Sequence, residues 1–249
     1  MKKTLIGLLA PLALGGMALA DGFSITGNLQ FLPQFGLIGG QFSTPYRSYR
    51  GTALNYTANL TDNVLVGASL RPGYFGGLFA LASRVGGVAV INLDRNPSGY
   101  IEAAFRLGSN QVIVPGPFAF DFDAGAEIFA TQRLAGAVVL YGGAGLEATL
   151  LVAPNLALTP SLNGFTGLKL ELTPALEAYL EGGLRYTFGG LNTLAFDLTS
   201  SAYYEIQRGL RVGLYTGIFG TNTTNFKLGI AGEWTEKPET LGTPGNYLP

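Results

Sequence analysis

Residues 170–188, with the sequence LELTPALEAYLEGGLRYTF, alternate between two kinds of side chain with a period of two. The apolar or aromatic set is Leu170, Leu172, Leu176, Ala178, Leu180, Leu184, Tyr186 and Phe188. The interleaved set is Lys169, Glu171, Glu177, Tyr179, Glu181, Gly183, Arg185 and Thr187. A period of two puts each set on its own face of a β-strand, whereas a helix would scatter both around its circumference. Thr173-Pro174 interrupts the run, and Pro is a turn residue without a backbone donor. The sequence therefore predicts a hairpin whose strands share one apolar face.

The arms of this hairpin have the length of a membrane-crossing strand. Each predicted arm is about 9–11 residues long, which is what a tilted strand needs to span a bilayer. The other face carries acids and bases together, which suits a wet or ion-paired interior. We therefore predict an all-β fold, a transmembrane antiparallel up-and-down β-barrel of about 14 strands.

Composition agrees with alternating barrel strands. Charged residues make up 12% of the chain, about half the usual share of a soluble domain. The chain also has 37 Gly, which disfavours a helical bundle. Without Lys2 and Lys3 the chain has 13 bases and 16 acids, a formal charge of −3. No basic patch indicates a nucleic-acid partner.

The predicted strand count depends on two stretches of the chain. Residues 77–93 fit either one long bulged strand or a short strand plus a loop segment, and residues 134–152 resemble two short strands around Gly142-Gly143. If these regions are misread, the alternative count is 12. We predict short corners near 62, 96, 132, 154, 174 and 209, and a further hairpin turn at Asn163-Gly164, since Asn-Gly favours tight turns. Longer loops are predicted near 36–50, 72–76, 108–117, 189–191 and 220–224.

The chain divides into three predicted parts. Residues 1–20 have a basic start, a short apolar core and an Ala18-Leu19-Ala20 cleavage site, which are typical of a secretory signal peptide. An uncleaved anchor helix is the alternative, but the apolar core is short for a span. Residues 21–235 form the predicted barrel. Residues 236–249 hold three Pro and little pattern, so we predict a loose C-terminal tail.

The residue types that the chain lacks limit the catalytic and metal chemistry that it can perform. The chain contains no Cys and no His. Thiolate metal sites, disulfides and a Ser-His-Asp relay are therefore excluded. We expect no enzymatic activity, no cofactor and no metal.

With these features, the chain resembles the bacterial outer-membrane β-barrels, the porin-like class in the broad sense. The resemblance covers the leader and residues 23–235, and depends on units such as residues 170–188 and on the final alternating strand FKLGIAGEW. It implies location in the cell outer membrane, with the lipid bilayer and small ions or solutes as partners, and no particular oligomeric state. Barrels of this class usually end on an aromatic residue. Here that residue would be Trp234, yet fifteen residues follow it.

Alternation assigns a set of charged residues to the barrel interior. The predicted lumen-lining residues are Glu102, Arg106, Asp121, Asp123, Glu127, Glu147, Lys169, Glu171, Glu177, Glu181, Arg185, Asp197, Glu205, Arg211 and Lys227. They could form a charged stripe along a pore, or interior ion pairs between adjacent strands. Asp121, Asp123 and Glu127 are oxygen-rich but lack an EF-hand pattern, so a wet wall is favoured over a Ca²⁺ site.

Aromatic residues near the proposed strand ends predict an interfacial girdle. They are Tyr56, Tyr100, Phe105, Phe118, Phe188, Tyr204, Phe219 and Trp234. The alternative is the ordinary core of a β-sandwich.

Three functions fit the sequence. The first is a passive, weakly cation-preferring pore for ions and small polar solutes. The second is a closed structural or interaction barrel of the cell envelope with an ion-paired lumen. The third is a secreted soluble β-sandwich.

Overall fold

The computed structural model describes residues 23–32, 37–40, 54–61, 64–75, 78–113, 119–153, 155–189 and 192–235. The predicted signal peptide at 1–20, most of the predicted loop at 36–50 and the predicted tail at 236–249 lie outside these residues. Among the described residues, no helix is long and apolar enough to cross a membrane.

The described residues form thirteen strands in one antiparallel sheet. Their bounds are β1 Phe23–Leu32, β2 Leu37–Gly40, β3 Leu54–Thr61, β4 Val64–Phe75, β5 Leu78–Asn96, β6 Gly99–Ile113, β7 Ala119–Ala135, β8 Val138–Ala153, β9 Ala157–Thr173, β10 Leu176–Thr187, β11 Thr193–Gln207, β12 Leu210–Gly220 and β13 Thr224–Thr235. From β3 onward, each strand pairs with the next one along the chain. This is the up-and-down order that the sequence predicts.

The first strand connects the two ends of the sheet. β1 pairs with β13 over Ser24–Phe31. It also pairs with β3 over Phe23–Gly27 and with β2 over Leu29–Leu32. β2 and β3 therefore follow one another along the same side of β1. The segment Leu37–Gly40 corrects the prediction of an uninterrupted loop over 36–50.

Several predicted boundaries are wrong because strands continue through glycines. β8 is one strand through Gly142-Gly143, not two short strands. β9 is likewise one strand through Asn163-Gly164, so the predicted hairpin turn there is wrong. β5 is one long strand with an irregularity between Asn92 and Asp94, which confirms the first of the two alternatives for 77–93. The thirteen described strands include β2 and β3, which share one side of β1, so the predicted count of about 14, with 12 as the alternative, stays a prediction.

The strands are also longer than predicted. β9 has 17 residues and β10 has 12, compared with the predicted 9–11 for each arm. β4 continues through Pro72-Gly73, where the sequence predicts a loop. Strands of this length extend well beyond the roughly 25 Å apolar band of a membrane barrel.

Two-residue turns gather at one end of the sheet, which we call the turn end. They are Pro97-Ser98, Gly136-Ala137, Pro174-Ala175 and Arg208-Gly209. The corner predicted near 132 lies four residues later, at Gly136-Ala137, where Gly136 has a positive φ of 44°. The corner predicted near 154 lies at the opposite end of the sheet. The sequence predicted breaks at 142–143 and 163–164, where β8 and β9 in fact continue. Each predicted break reversed the expected chain direction, so the connection between β8 and β9 was expected at the wrong end.

The two faces of the sheet differ in chemistry and in exposure. One face carries large exposed apolar side chains, such as Leu146, Leu162 and Leu184. We call the opposite face the inner face. It carries the buried residues, which include Phe129, Tyr141 and Glu127 at 1–3% exposure. An exposed apolar face and a buried polar face together reverse the usual arrangement of a soluble protein.

Candidate functional site

All fifteen predicted lumen-lining residues lie on the inner face of their strands. Six are buried: Glu102, Arg106, Asp123, Glu127, Glu181 and Lys227. Eight others are half-buried, and Arg185 is exposed. The alternation that the sequence shows along each strand is therefore kept in the structure, because strand side chains alternate strictly between faces.

A first group of charges lies beside the turn end, and we call it the turn-side cluster: Arg133, Lys169, Glu171, Glu177 and Arg211. Arg133 donates two hydrogen bonds to Glu171, at 2.8 and 3.0 Å. Lys169 lies 3.3 Å from Glu171 and 2.6 Å from Glu177. Arg211 donates to Glu177 at 2.5 Å. The cluster is a continuous chain of alternating charges across β7, β9, β10 and β12.

Aromatic side chains form a second layer, farther from the turns, which we call the aromatic belt. Its members are Phe129, Tyr141, Phe165, Tyr179, Tyr203 and Tyr215. Phe129 stacks on Phe165 with 6.0 Å between ring centroids, and Tyr179 meets Tyr203 edge-on at 5.9 Å. Such ring pairs add about 0.5–1.5 kcal/mol beyond their buried area.

The belt is joined by hydrogen bonds to the charges on either side of it. Tyr141 donates to Glu181 at 3.1 Å, and Tyr179 donates to Glu177 at 2.6 Å. The Arg211 guanidinium lies 5.2 Å from the centre of the Tyr203 ring, which allows a cation–π contact. Tyr141 and Tyr179 therefore each place the ring in the belt and the hydroxyl against a carboxylate, as buried Tyr usually does.

A third group lies in the middle of the strands, and we call it the middle cluster. Arg106 lies 3.4 Å from Glu127 and 3.5 Å from Glu147. Arg185 donates to the same Glu147 at 2.7 Å and to Ser161. A separate pair joins Lys227 to Asp197, with 2.7 Å to each carboxylate oxygen. Thr199 also donates to Asp197.

Three of the contacts between side chains two strands apart cross the intervening strand over a glycine. Arg106 crosses Gly125 to reach Glu147, and Lys227 crosses Gly217 to reach Asp197. Tyr141 lies over Gly167 on its way to Glu181, and a Cβ at Gly167 would overlap the Tyr141 hydroxyl. The inner-face glycines therefore provide the room through which side chains two strands apart meet.

Sequence reasoning missed the aromatic belt. Tyr179 was placed on the polar face, but none of the six belt residues was predicted to pack against another. Two members of the predicted girdle are also wrong: Tyr100 packs against Phe129 at 5.8 Å, and Phe219 lies on the inner face. The available signal was the alternation itself, which assigns Phe129, Tyr141 and Phe165 to the inner face once strand bounds are known.

Of the other six residues of the predicted girdle, three have exposed side chains and three have side chains that the structure does not describe. Phe105, Phe188 and Tyr204 are exposed, at 50%, 41% and 53%. The side chains of Tyr56, Phe118 and Trp234 lie outside the described part of the structure. Within the described residues, no group of three acidic side chains lies close enough to hold a metal ion.

Comparison with solved structures identifies the fold. The translocator domain of the autotransporter NalP from Neisseria meningitidis aligns with 13% identity and a TM-score of 0.53, covering 92% of this chain and 95% of that chain. The NanC porin aligns with 8% identity and a TM-score of 0.51, covering 85% of this chain and 98% of that chain. No protein-family model matches the chain, and no curated protein matches it in sequence.

At these identities the likeness shows the fold. The chain has the fold of the outer-membrane β-barrels, so the predicted fold class and the predicted resemblance are confirmed. The predicted location in the cell outer membrane is supported by the same structures.

Proposed function

We propose that the protein is a passive, weakly cation-preferring pore for ions and small polar solutes in the outer membrane, and that the fifteen inner-face charges line its lumen. The observation that carries the proposal is the excess of acids in that set. It contains ten acids, namely Glu102, Asp121, Asp123, Glu127, Glu147, Glu171, Glu177, Glu181, Asp197 and Glu205, and five bases, namely Arg106, Lys169, Arg185, Arg211 and Lys227. Arg133 of the turn-side cluster brings the bases to six, so the acids remain in excess. A confined space with low-dielectric walls focuses the resulting negative potential and concentrates cations.

The other parts of the chain fit the same proposal. Residues 1–20 would direct export and be removed, leaving the barrel at 21–235 and a tail at 236–249. The exposed apolar face would contact lipid, and the solutes would pass along the inner face. The proposal includes no enzymatic activity, because the chain has no His to act as a general base.

Reversal potentials of the purified protein in a planar bilayer, under a KCl gradient, test the selectivity. We expect cation preference that increases at low salt, because the Debye length grows from about 10 Å at 0.1 M to about 30 Å at 0.01 M. The double variant Asp121→Asn with Asp123→Asn should reduce this preference. Asp94→Asn, at an exposed position of β5 next to the turn end, is the matched control and should leave it unchanged. Anion preference of the unmodified protein would contradict the proposal.

A closed structural or interaction barrel is the second candidate. The aromatic belt and the ion pairs that span three neighbouring strands favour a closed barrel, because these contacts connect the strands to one another on the inner face. Purified protein that shows heat-modifiable migration, and is therefore folded, but gives no conductance would select this candidate over the pore.

A further inference from the structure

A cavity of about 320 Å³ opens at the turn end of the sheet, beside the turn-side cluster. Its wall includes Arg95, Tyr100, Thr131, Arg133, Lys169 and Glu171. The size is at the lower limit of small-molecule sites in proteins, which are clefts of roughly 300–1,000 Å³. The cavity therefore fits a ligand of about the size of a monosaccharide.

The charge of this cavity is opposite to that of the rest of the inner face. Three bases, Arg95, Arg133 and Lys169, face one acid, Glu171. The net formal charge of these four residues is therefore +2. Glu177 contacts Lys169 and also accepts a hydrogen bond from Arg211, so adding Glu177 and Arg211 together leaves the net charge at +2. The cavity is thus a local cationic region beside an acidic inner face.

Among the described residues, Glu171 is the one acid in the wall, and it is held by two of the three bases. It accepts two parallel hydrogen bonds from Arg133 and lies within reach of Lys169. The Arg133 side chain is still 42% exposed, and Arg95 is exposed. A planar guanidinium suits carboxylate and phosphate oxygens, so the exposed Arg95 can hold a ligand carboxylate beside the one that Arg133 already holds.

The rest of the wall is suited to the uncharged part of such a ligand. The Arg95 guanidinium lies 6.0 Å from the centre of the Tyr100 ring, and Tyr100 is supported from behind by Phe129. Ser98 and Thr131, which carry hydroxyl groups, also line the cavity. An aromatic face and hydroxyls beside a cationic end match a small polar molecule that carries one acidic group.

We propose that this cavity binds a small organic anion, with a carboxylate or phosphate on a polar body about the size of a monosaccharide. The inference goes beyond the proposed pore, since a cation-preferring lumen would not by itself retain an anion. It is tested without any measurement of conductance, so its failure and the failure of the pore proposal are distinguishable.

Isothermal titration of the full, detergent-solubilised protein with glucose 6-phosphate, glucuronate and glucose is the test. We expect both anions to bind and neutral glucose not to bind. Binding should weaken as salt is raised, because ion pairing is screened. Absence of saturable binding by both anions, or equal binding of glucose, would overturn the proposal.

Variants separate ligand binding from a structural role of the cluster. Arg95→Gln should weaken anion binding by about tenfold, the usual size of a lost charge-assisted hydrogen bond. Glu171→Gln should instead strengthen binding by at least about threefold, because it removes the competing carboxylate. Arg208→Gln, an exposed base in another turn at the same end, is the control and should change nothing. If Glu171→Gln weakens binding in a protein that keeps heat-modifiable migration, the proposal is wrong.

Discussion

Inner-face glycines make room for several of the side chains that meet across the sheet. A Cβ at Gly143 would come within 3.0 Å of the Phe165 ring, and one at Gly213 within 2.5 Å of the Tyr203 ring. Gly167 and Gly217 lie in the same way under Tyr141 and Lys227, whereas a Cβ at Gly125 would be 3.5 Å from the Arg106 guanidinium, an ordinary contact. Gly in a strand interior is intrinsically unfavourable, and a close approach of another group is a usual reason for it. These glycines are therefore part of the candidate site, although they carry no functional group.

We expect Gly167→Ala to destabilise the folded protein by about 1–3 kcal/mol, the usual cost of overpacking. The added methyl group would overlap the Tyr141 phenol, which must move and lose its hydrogen bond to Glu181. Urea unfolding in detergent, followed by heat-modifiable migration, measures the change.

The matched control is Gly183→Ala, also on the inner face. Its added Cβ would meet nothing closer than 3.6 Å, an ordinary contact distance. A loss of stability at Gly183 as large as that at Gly167 would show that the cost comes from strand propensity and not from the Tyr141 crossing.

At the scale of single elements, β9 shows how ladder pairing overrides a local turn signal. Asn163-Gly164 is a favourable sequence for a tight hairpin turn, which needs positive φ. Within the described residues, only Gly136, Gly189 and Gly209 have positive φ, so Gly164 is extended. Asn163 pairs with Gly145 on β8 and with Arg185 on β10. A turn at this point would break backbone hydrogen bonds on both sides of the strand.

A short epitope tag inserted after Gly164 should therefore prevent assembly of the folded barrel. The same tag inserted after Asn222, in the exposed 221–223 connection, should be tolerated because no ladder pairing crosses it. Heat-modifiable migration and the amount of protein in the outer membrane are the measurements. Normal assembly of the Gly164 insertion would mean that β9 is not a continuous strand.

At the scale of the whole molecule, the start of β1 and the end of β13 lie together at the turn end. Ser24 pairs with Thr235 there, and the two-residue turns lie at the same end. Export through a cleaved leader would leave the N-terminus in the periplasm. We therefore predict that the turn end faces the periplasm and that the 221–223 connection faces outward.

Single Cys probes test this orientation, since the chain has no Cys of its own. Asn222→Cys should react with an impermeant maleimide on intact cells. Pro174→Cys, in an exposed turn, should react only after the outer membrane has been breached. The reverse labelling pattern would mean that the barrel is inserted the other way round.

The sequence by itself determined the all-β class, the exposed apolar face and the fifteen charged residues of the inner face. These follow from the period of two, which is a local property of extended chain. Thr173-Pro174 was also placed correctly, because Pro cannot donate to a ladder and favours a turn.

Only the tertiary structure decided where strands continue and which inner residues meet. Gly142-Gly143 and Asn163-Gly164 resemble turns locally, but pairing with strands on both sides keeps them extended. The contacts between Tyr141 and Glu181, or between Lys227 and Asp197, join residues 40 and 30 positions apart. Such contacts depend on the register between strands, and register arises from the pairing of the whole sheet, which no local pattern contains.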